Sequence, residues 1–210
     1  MAMIRKILLA SVVVLGSTVS SHATVLFSDN FDSNVQATSS TPTGWGLVSG
    51  SVDIIGTPGA FPWYNTGNQI DMNGSTGQGG LIYTIPTWTF LAGQQYNISF
   101  DYGNNKNSNG VESLYFGLTD LSTYLTQGIV NVTGAVPSLL HYSLTFTLLS
   151  NFTGSLGFQD GGLSDSDNGG VILDNVVLSA VPVPAALPLF AAGLGALGIA
   201  GRRRKRKVAA

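Results

Sequence analysis

The sequence predicts an all-β chain folded as an antiparallel jelly-roll β-sandwich, and three observations predict it. Short segments alternating apolar and polar residues recur from Val25 to Ala180, the period-two mark of half-buried strands. Between them lie clusters of Gly, Asn, Asp and Ser, such as 103–110 and 160–170, whose residues favour turns. No stretch before residue 185 sustains a 3.6-residue period. Many short strands separated by turns, with no helices between them, fold as a two-layer sandwich.

Taken in order, the predicted strands are Trp45 to Val48, Val52 to Ile55, and Leu81 to Ile85. Tyr96-Asn-Ile98-Ser-Phe100-Asp-Tyr102 is the clearest, with large apolar side chains at every second position. Leu114 to Leu118, Tyr142 to Leu148, Ser155 to Phe158 and Val171 to Leu178 follow. Trp45 and Trp88 stand in strand-like surroundings and are expected in the core. There is no cysteine, so neither a disulfide framework nor a thiolate metal site is available. About 150 residues of sandwich bury enough apolar surface to fold without one.

The charges are unevenly placed. Of nine Lys and Arg, Arg5 and Lys6 lie at the start and six form the run Arg202 to Lys207, leaving Lys106 as the one cation between them. All eleven acids lie between Asp29 and Asp174. A domain with that balance repels phosphate backbones, which argues against nucleic acid as a partner.

The two ends read as processing signals. Residues 1–23 carry a positive start, an apolar stretch from Ile7 to Gly16 and the small-x-small site Ser21-His22-Ala23. This is the pattern of a secretory signal cut by signal peptidase between Ala23 and Thr24. The expected domain is therefore 24–180. Residues 185–201 form an apolar segment that as a helix would rise roughly 25 Å, short of a bilayer core of about 30 Å. The basic block 202–207 directly after it would stay cytoplasmic and leave the domain outside.

The segment 181–210 resembles the PEP-CTERM class of sorting signals, with a Pro-x-Pro motif, a short transmembrane helix and a terminal Arg cluster. Val181-Pro182-Val183-Pro184-Ala185 is most similar to the VPLPA-CTERM variant, with Val183 in place of its Leu and no PEP glutamate. The resemblance implies recognition by an exosortase, which removes the tail, and hence export to the cell surface or extracellular matrix. A permanent C-terminal anchor is the alternative.

The middle of the chain also has a family look. Gly44-Trp45-Gly-Leu-Val-Ser-Gly50-Ser-Val52-Asp53-Ile-Ile-Gly56, then Trp63, Gly67 to Gly74, Gly79-Gly80, Ala92 to Asp101 and Leu173-Asp174-Asn175-Val176 resemble the bacterial choice-of-anchor C proteins. That family is similar to plant cell-wall proteins with galactose-binding-like jelly rolls. The long polar insertions near 103–110 and 160–170 depart from its pattern. The resemblance implies a structural Ca²⁺ tying the two ends of the sandwich. Here Asp29 and Asp32 open the domain and Asp174 closes it, giving hard oxygen ligands from both ends. The alternative is that these carboxylates cap turns, a role short acidic side chains fill well. Asp165-Ser-Asp167-Asn-Gly169 lacks EF-hand spacing and reads as a solvated turn.

Sugar binding needs aromatic platforms beside amides or carboxylates. Trp63, Tyr64 and Asn65, with Asp71 and Asn73 nearby, offer both on a Gly/Pro-rich loop; the alternative is that Trp63 covers the sandwich edge. Catalysis has little to stand on. His141 is the one histidine left after signal removal and Glu112 the one glutamate, whereas glycoside hydrolysis needs two carboxylates flanking a cleft. The expected function is a non-catalytic surface or matrix protein binding envelope carbohydrate. The alternatives are a hydrolase of extracellular polysaccharide and a structural biofilm protein without a small ligand.

Overall fold

Every alternating segment named above falls in a strand, with Val52, Ile85 and Leu148 each one residue beyond its end. The computed structural model describes residues 22–57, 64, 67–106, 110–134, 136–161, 169–182, 190 and 193–195. The chain divides into two units, one of His22–Pro182 and one of Met1–Ser21 with Val183–Ala210. The described residues of the first unit form β1 (Thr24–Asp29), β2 (Trp45–Ser49), β3 (Asp53–Gly56), β4 (Asn68–Asp71), β5 (Leu81–Thr84), β6 (Trp88–Phe90), β7 (Gln95–Asn104), β8 (Val111–Thr119), β9 (Tyr124–Thr133), β10 (Leu140–Thr147), β11 (Phe152–Asp160) and β12 (Val171–Val181).

These strands make two six-stranded antiparallel sheets. The first runs β10-β7-β12-β4-β3, with β1 also on β12; the second runs β2-β5-β11-β8-β9, with β6 also on β11. Strand β12 pairs with β4 through Ile172 and Leu173 and with β1 from Val176 to Ala180. The changeover coincides with a register shift against β7 between Asp174 and Val177, where Asn175 has φ of 49°. A bulge there bends one long strand enough to serve two partners in succession.

The core lies between the sheets. Alternation sends Ile98 and Phe100 of β7, Leu114, Phe116 and Leu118 of β8, and Leu156 and Phe158 of β11 inward, all fully buried. Phe100 sits where the layers meet, its ring 5.1 Å from Phe116 at 65° and 5.3 Å from Phe158 at 87°. Edge-to-face packing of this kind carries the contact from one sheet to the other. Trp45 is buried as expected, whereas Trp88 is half-buried against Phe27 and Phe90.

Four strands escaped the sequence reading. In β4, Ile70 is the single apolar residue, and Gln69 and Asp71 are buried beside it. In β9 a register shift around Gln127 breaks the alternation, so Leu125 and Val130 do not share one parity. β1 and β6 are short, of six and three residues.

In the second unit the described residues are helical at Phe190 and 193–195. Among the described residues no helix is long and apolar enough to cross a membrane. Residues 1–21 of the predicted signal, Val183, Pro184 and Ala185 of the sorting motif, most of the predicted span 185–201 and the basic block lie outside the described residues. Strand β1 begins at Thr24 and β12 ends at Val181.

Candidate functional site

Of the residues singled out for sugar binding, the described ones do not form an open surface. Trp63 and Asn65 lie outside the described residues. Tyr64, Asp71 and Asn73 are buried, which corrects the expectation of an exposed platform for these three. The Tyr64 hydroxyl donates to the Asn104 carbonyl at 2.7 Å, and Lys106 lies 5.3 Å from the centroid of its ring. Asp71 Oδ1 accepts from the Asn73 amide at 3.1 Å and Oδ2 accepts from Asn105 Nδ2 at 2.6 Å. Burial holds the Asp71 carboxyl well above the usual carboxylate range; the Asn73 and Asn105 hydrogen bonds oppose this, and the nearby Asp53 and Asp160 add to it. The cause is that a charge stripped of water is costly even when hydrogen-bonded. These residues brace one end of the sandwich.

The predicted calcium ligands are engaged with the protein. Asp29 Oδ1 accepts from the Phe31 amide at 2.7 Å, and Oδ2 accepts from Trp45 Nε1 at 2.8 Å. Asp32 accepts from Asn30 Nδ2 and from the Asn68 amide, both at 2.8 Å. Asp174, fully buried, accepts from the Asn175 amide at 2.7 Å. Asp29 and Asn175 line a cavity of about 360 Å³ beside the β1–β12 pair. Among the described residues no three His, Asp or Glu side chains come together as a metal-holding group. The Asp165–Asp167 turn lies outside the described residues.

The outer faces of the two sheets differ in kind. On the first, polar side chains are bonded to one another. Asn97 Nδ2 donates to Ser143 Oγ at 3.0 Å and Thr145 Oγ1 at 3.2 Å, and Asp101 meets His141 Nδ1 at 2.6 Å and Asn175 Nδ2 at 2.9 Å.

The second sheet has such pairs too, Ser113 with Asn131 and Thr89 with Thr153, but also presents tyrosines and glycines. Alternation turns Tyr83 of β5, Tyr115 of β8, and Gly157 and Gln159 of β11 away from the core. Register then places Gly46, Tyr83, Gly157 and Gly117 in one row across β2, β5, β11 and β8. Leu81, Gln159, Tyr115 and Ile129 form the next row, reaching β9.

Each tyrosine is laid across the sheet over a glycine. A Cβ on Gly46 would fall inside the Tyr83 ring, one on Gly157 would lie 2.9 Å from Tyr124 Cε2, and one on Gly161 would lie 2.9 Å from Tyr115 Cε2. The Tyr124 hydroxyl also donates to the Gly157 and Tyr115 carbonyls at 2.9 and 3.2 Å, and burial pushes its phenol well up, so it remains a donor. Gln159 stands half-buried between Leu81 and Tyr115, while Tyr115 and Ile129 are exposed. The six strands contain two ionisable acids, Glu112 and Asp160, and both are buried. The result is an uncharged aromatic face with an amide in it, and its rings lie down because nothing larger than hydrogen stands beneath them. The sequence held the signal in the parity of Tyr83 and Tyr115 against their inward neighbours. The expectation of an aromatic platform on the Gly/Pro-rich Trp63–Asn65 loop passes over this face.

No family model and no curated protein matches this chain. Its likenesses are to solved structures. The sandwich is similar to the CBM22-1 xylan-binding domain of Xyn10C from Paenibacillus barcinonensis, with a TM-score of 0.50 and 14% identity over 78% of this chain and 99% of that one. It is also similar to the K1 cleaved adhesin domain of Lys-gingipain from Porphyromonas gingivalis, with a TM-score of 0.49 and 14% identity over 74% of this chain and 98% of that one. At these identities the likeness is one of fold: an all-β antiparallel sandwich of two sheets, of the kind seen in carbohydrate-binding modules.

Proposed function

We propose that this chain is an exported, non-catalytic, galactose-binding-like jelly roll that holds an envelope or extracellular polysaccharide. The ligand lies on the outer face of the second sheet, against Tyr83 and Tyr115 with Gln159 as the hydrogen-bonding group. The observation that carries this reading is the laying of Tyr83, Tyr115 and Tyr124 over Gly46, Gly161 and Gly157. Sugar rings pair apolar C–H faces with equatorial hydroxyls, and an aromatic surface beside an amide meets both. The fold shared with a xylan-binding domain supports it. A catalytic role is disfavoured because Glu112 is buried and His141 stands exposed on the other sheet, paired with Asp101.

Binding to soluble polysaccharides, followed by calorimetry, tests the assignment. Tyr83→Ala and Tyr115→Ala should each weaken binding about tenfold, since an aromatic contact contributes up to about 1.5 kcal/mol. Melting temperature should change little for Tyr115, which is exposed. Unchanged affinity in both variants would move the ligand off this face, and Trp63→Ala in parallel measures the share of the Trp63–Asn65 loop.

The proposal includes the route to the surface. Signal peptidase would cut between Ala23 and Thr24, and an exosortase would act at Val181–Ala185 after a membrane-held intermediate. Support comes from the basic clusters confined to the two ends and from a sandwich that starts at Thr24 and finishes at Val181. Mass spectrometry of protein extracted from the cell surface should find Thr24 first and Arg202 to Lys207 absent.

A Ca²⁺ shared by Asp29, Asp32 and Asp174 is a second reading. What bears on it is the pairing of β1 with β12, which sets Asp29 opposite Val176, two residues from Asp174, although the three carboxylates do not meet as a metal-holding group. An ion bound only by the folded state raises its melting temperature, so chelation with EDTA should lower it by several degrees. An unchanged melting curve leaves the three aspartates in their hydrogen-bonding roles.

A further inference from the structure

We infer that the glycan held on the second sheet is an uncharged, flat chain bound across the strands, not an anionic polysaccharide. The inference rests on the proposal above and adds the chemical class of its ligand. Three features of the face lead to it.

The first is charge. Sites for uronates, sulfates or phosphates present Arg or Lys to the anion. The six strands of this sheet contain neither, and their two acids, Glu112 and Asp160, lie buried beneath the face. The region from Asp29 to Asp174 holds eleven acids against Lys106 alone. An approaching polyanion would therefore meet repulsion with no cation on the face to offset it.

The second is shape. A tyrosine standing up from a sheet makes a ridge, and a glycan must then wrap around it. Tyr83 is laid down over Gly46, and Tyr115 against Gly161. Laid-down rings make a low, even surface, which suits a ribbon-like chain that offers one flat side.

The third is direction. Tyr83 and Tyr115 stand on β5 and β8, with β11 and its Gln159 between them. A line between the two positions therefore runs obliquely across the strands: two spacings of about 4.8 Å and a two-residue offset of about 6.6 Å give roughly 12 Å. That is more than one sugar ring, so a single residue would not reach both tyrosines. Gln159 adds neutral amide donors and an acceptor suited to hydroxyls.

The test compares two panels of soluble polysaccharide with the full-length protein. One panel is neutral (mixed-linkage β-glucan, xyloglucan, glucomannan); the other is anionic (alginate, polygalacturonate). Each is measured at low and at half-molar salt. Binding to at least one neutral polymer, changed less than twofold by salt and weakened about tenfold by Tyr83→Ala or Tyr115→Ala, is the expected result. Gly46→Ala should reproduce the Tyr83→Ala loss, because the added methyl displaces the ring without removing a contact group. Binding confined to the anionic panel, weakened by salt and lost in the tyrosine variants, would overturn the ligand class and leave the sugar-binding face standing. Binding to neither panel would overturn both, as would neutral binding indifferent to all three variants.

Discussion

Phe100→Ala should lower the unfolding free energy by about 3–5 kcal/mol, the range for removing a fully buried phenylalanine. The expected size follows from where the ring sits. Phe100 is fully buried on β7 in the first sheet, yet it packs edge-to-face on Phe116 and Phe158 of the second and stacks 5.4 Å from Tyr142. Removing it deletes the shared neighbour of an aromatic cluster drawn from both layers. Rings fixed at both ends by strand backbone collapse poorly into the hole, so little of the loss is recovered. Denaturant titration measures the change. Phe100→Leu, which keeps most of the volume, should cost less than half as much. A loss under about 1 kcal/mol for the alanine variant would mean that the sheets do not meet at this ring.

Asp71 should give the protein a stability component that falls as pH rises. Its folded-state carboxyl is held well above the usual carboxylate value of 3.8 by burial, with Asp53 and Asp160 adding to the effect. A raised acid binds its proton more tightly in the folded state than in the unfolded chain. The contribution is therefore fully present below pH 3.8 and is lost as pH climbs through the folded-state pKa. Asp71→Asn removes the titration while keeping an oxygen to accept from the Asn73 amide. The melting temperature of the variant minus that of the parent should therefore grow as pH rises from 4 and level off once Asp71 has ionised in the folded state. A difference that stays constant across that range would show that Asp71 does not titrate anomalously.

The residues at the two ends of the β12 bulge illustrate what a single sequence conceals. Asp174 and Asn175 were read as closing residues of the domain. Asn175 also takes a left-handed backbone and reaches across to Asp101 on β7. Similarly, Asp71 and Asn73 look from sequence like polar groups available to a ligand. Burial turned them into braces, because Gly170 packs against both and Asn105 bonds to Asp71. Polar side chains in short strands carry no mark of which way they will face.

What the sequence determined by itself was the class of fold and most of its strands. Alternating large and small polar residues permit one buried face, and the turn clusters between them leave no room for helices. It also determined where the charge lies, since that is a matter of counting. The tertiary structure alone decided which outer face carries the laid-down tyrosines. Tyr83 meets Gly46, and Tyr115 lies against Gly161, through register between strands far apart in the chain. Such pairing is set by how two sheets close over one core, which local propensity does not encode. Parity marks Tyr83 and Tyr115 as outward, but only the sheet shows the glycines they lie against.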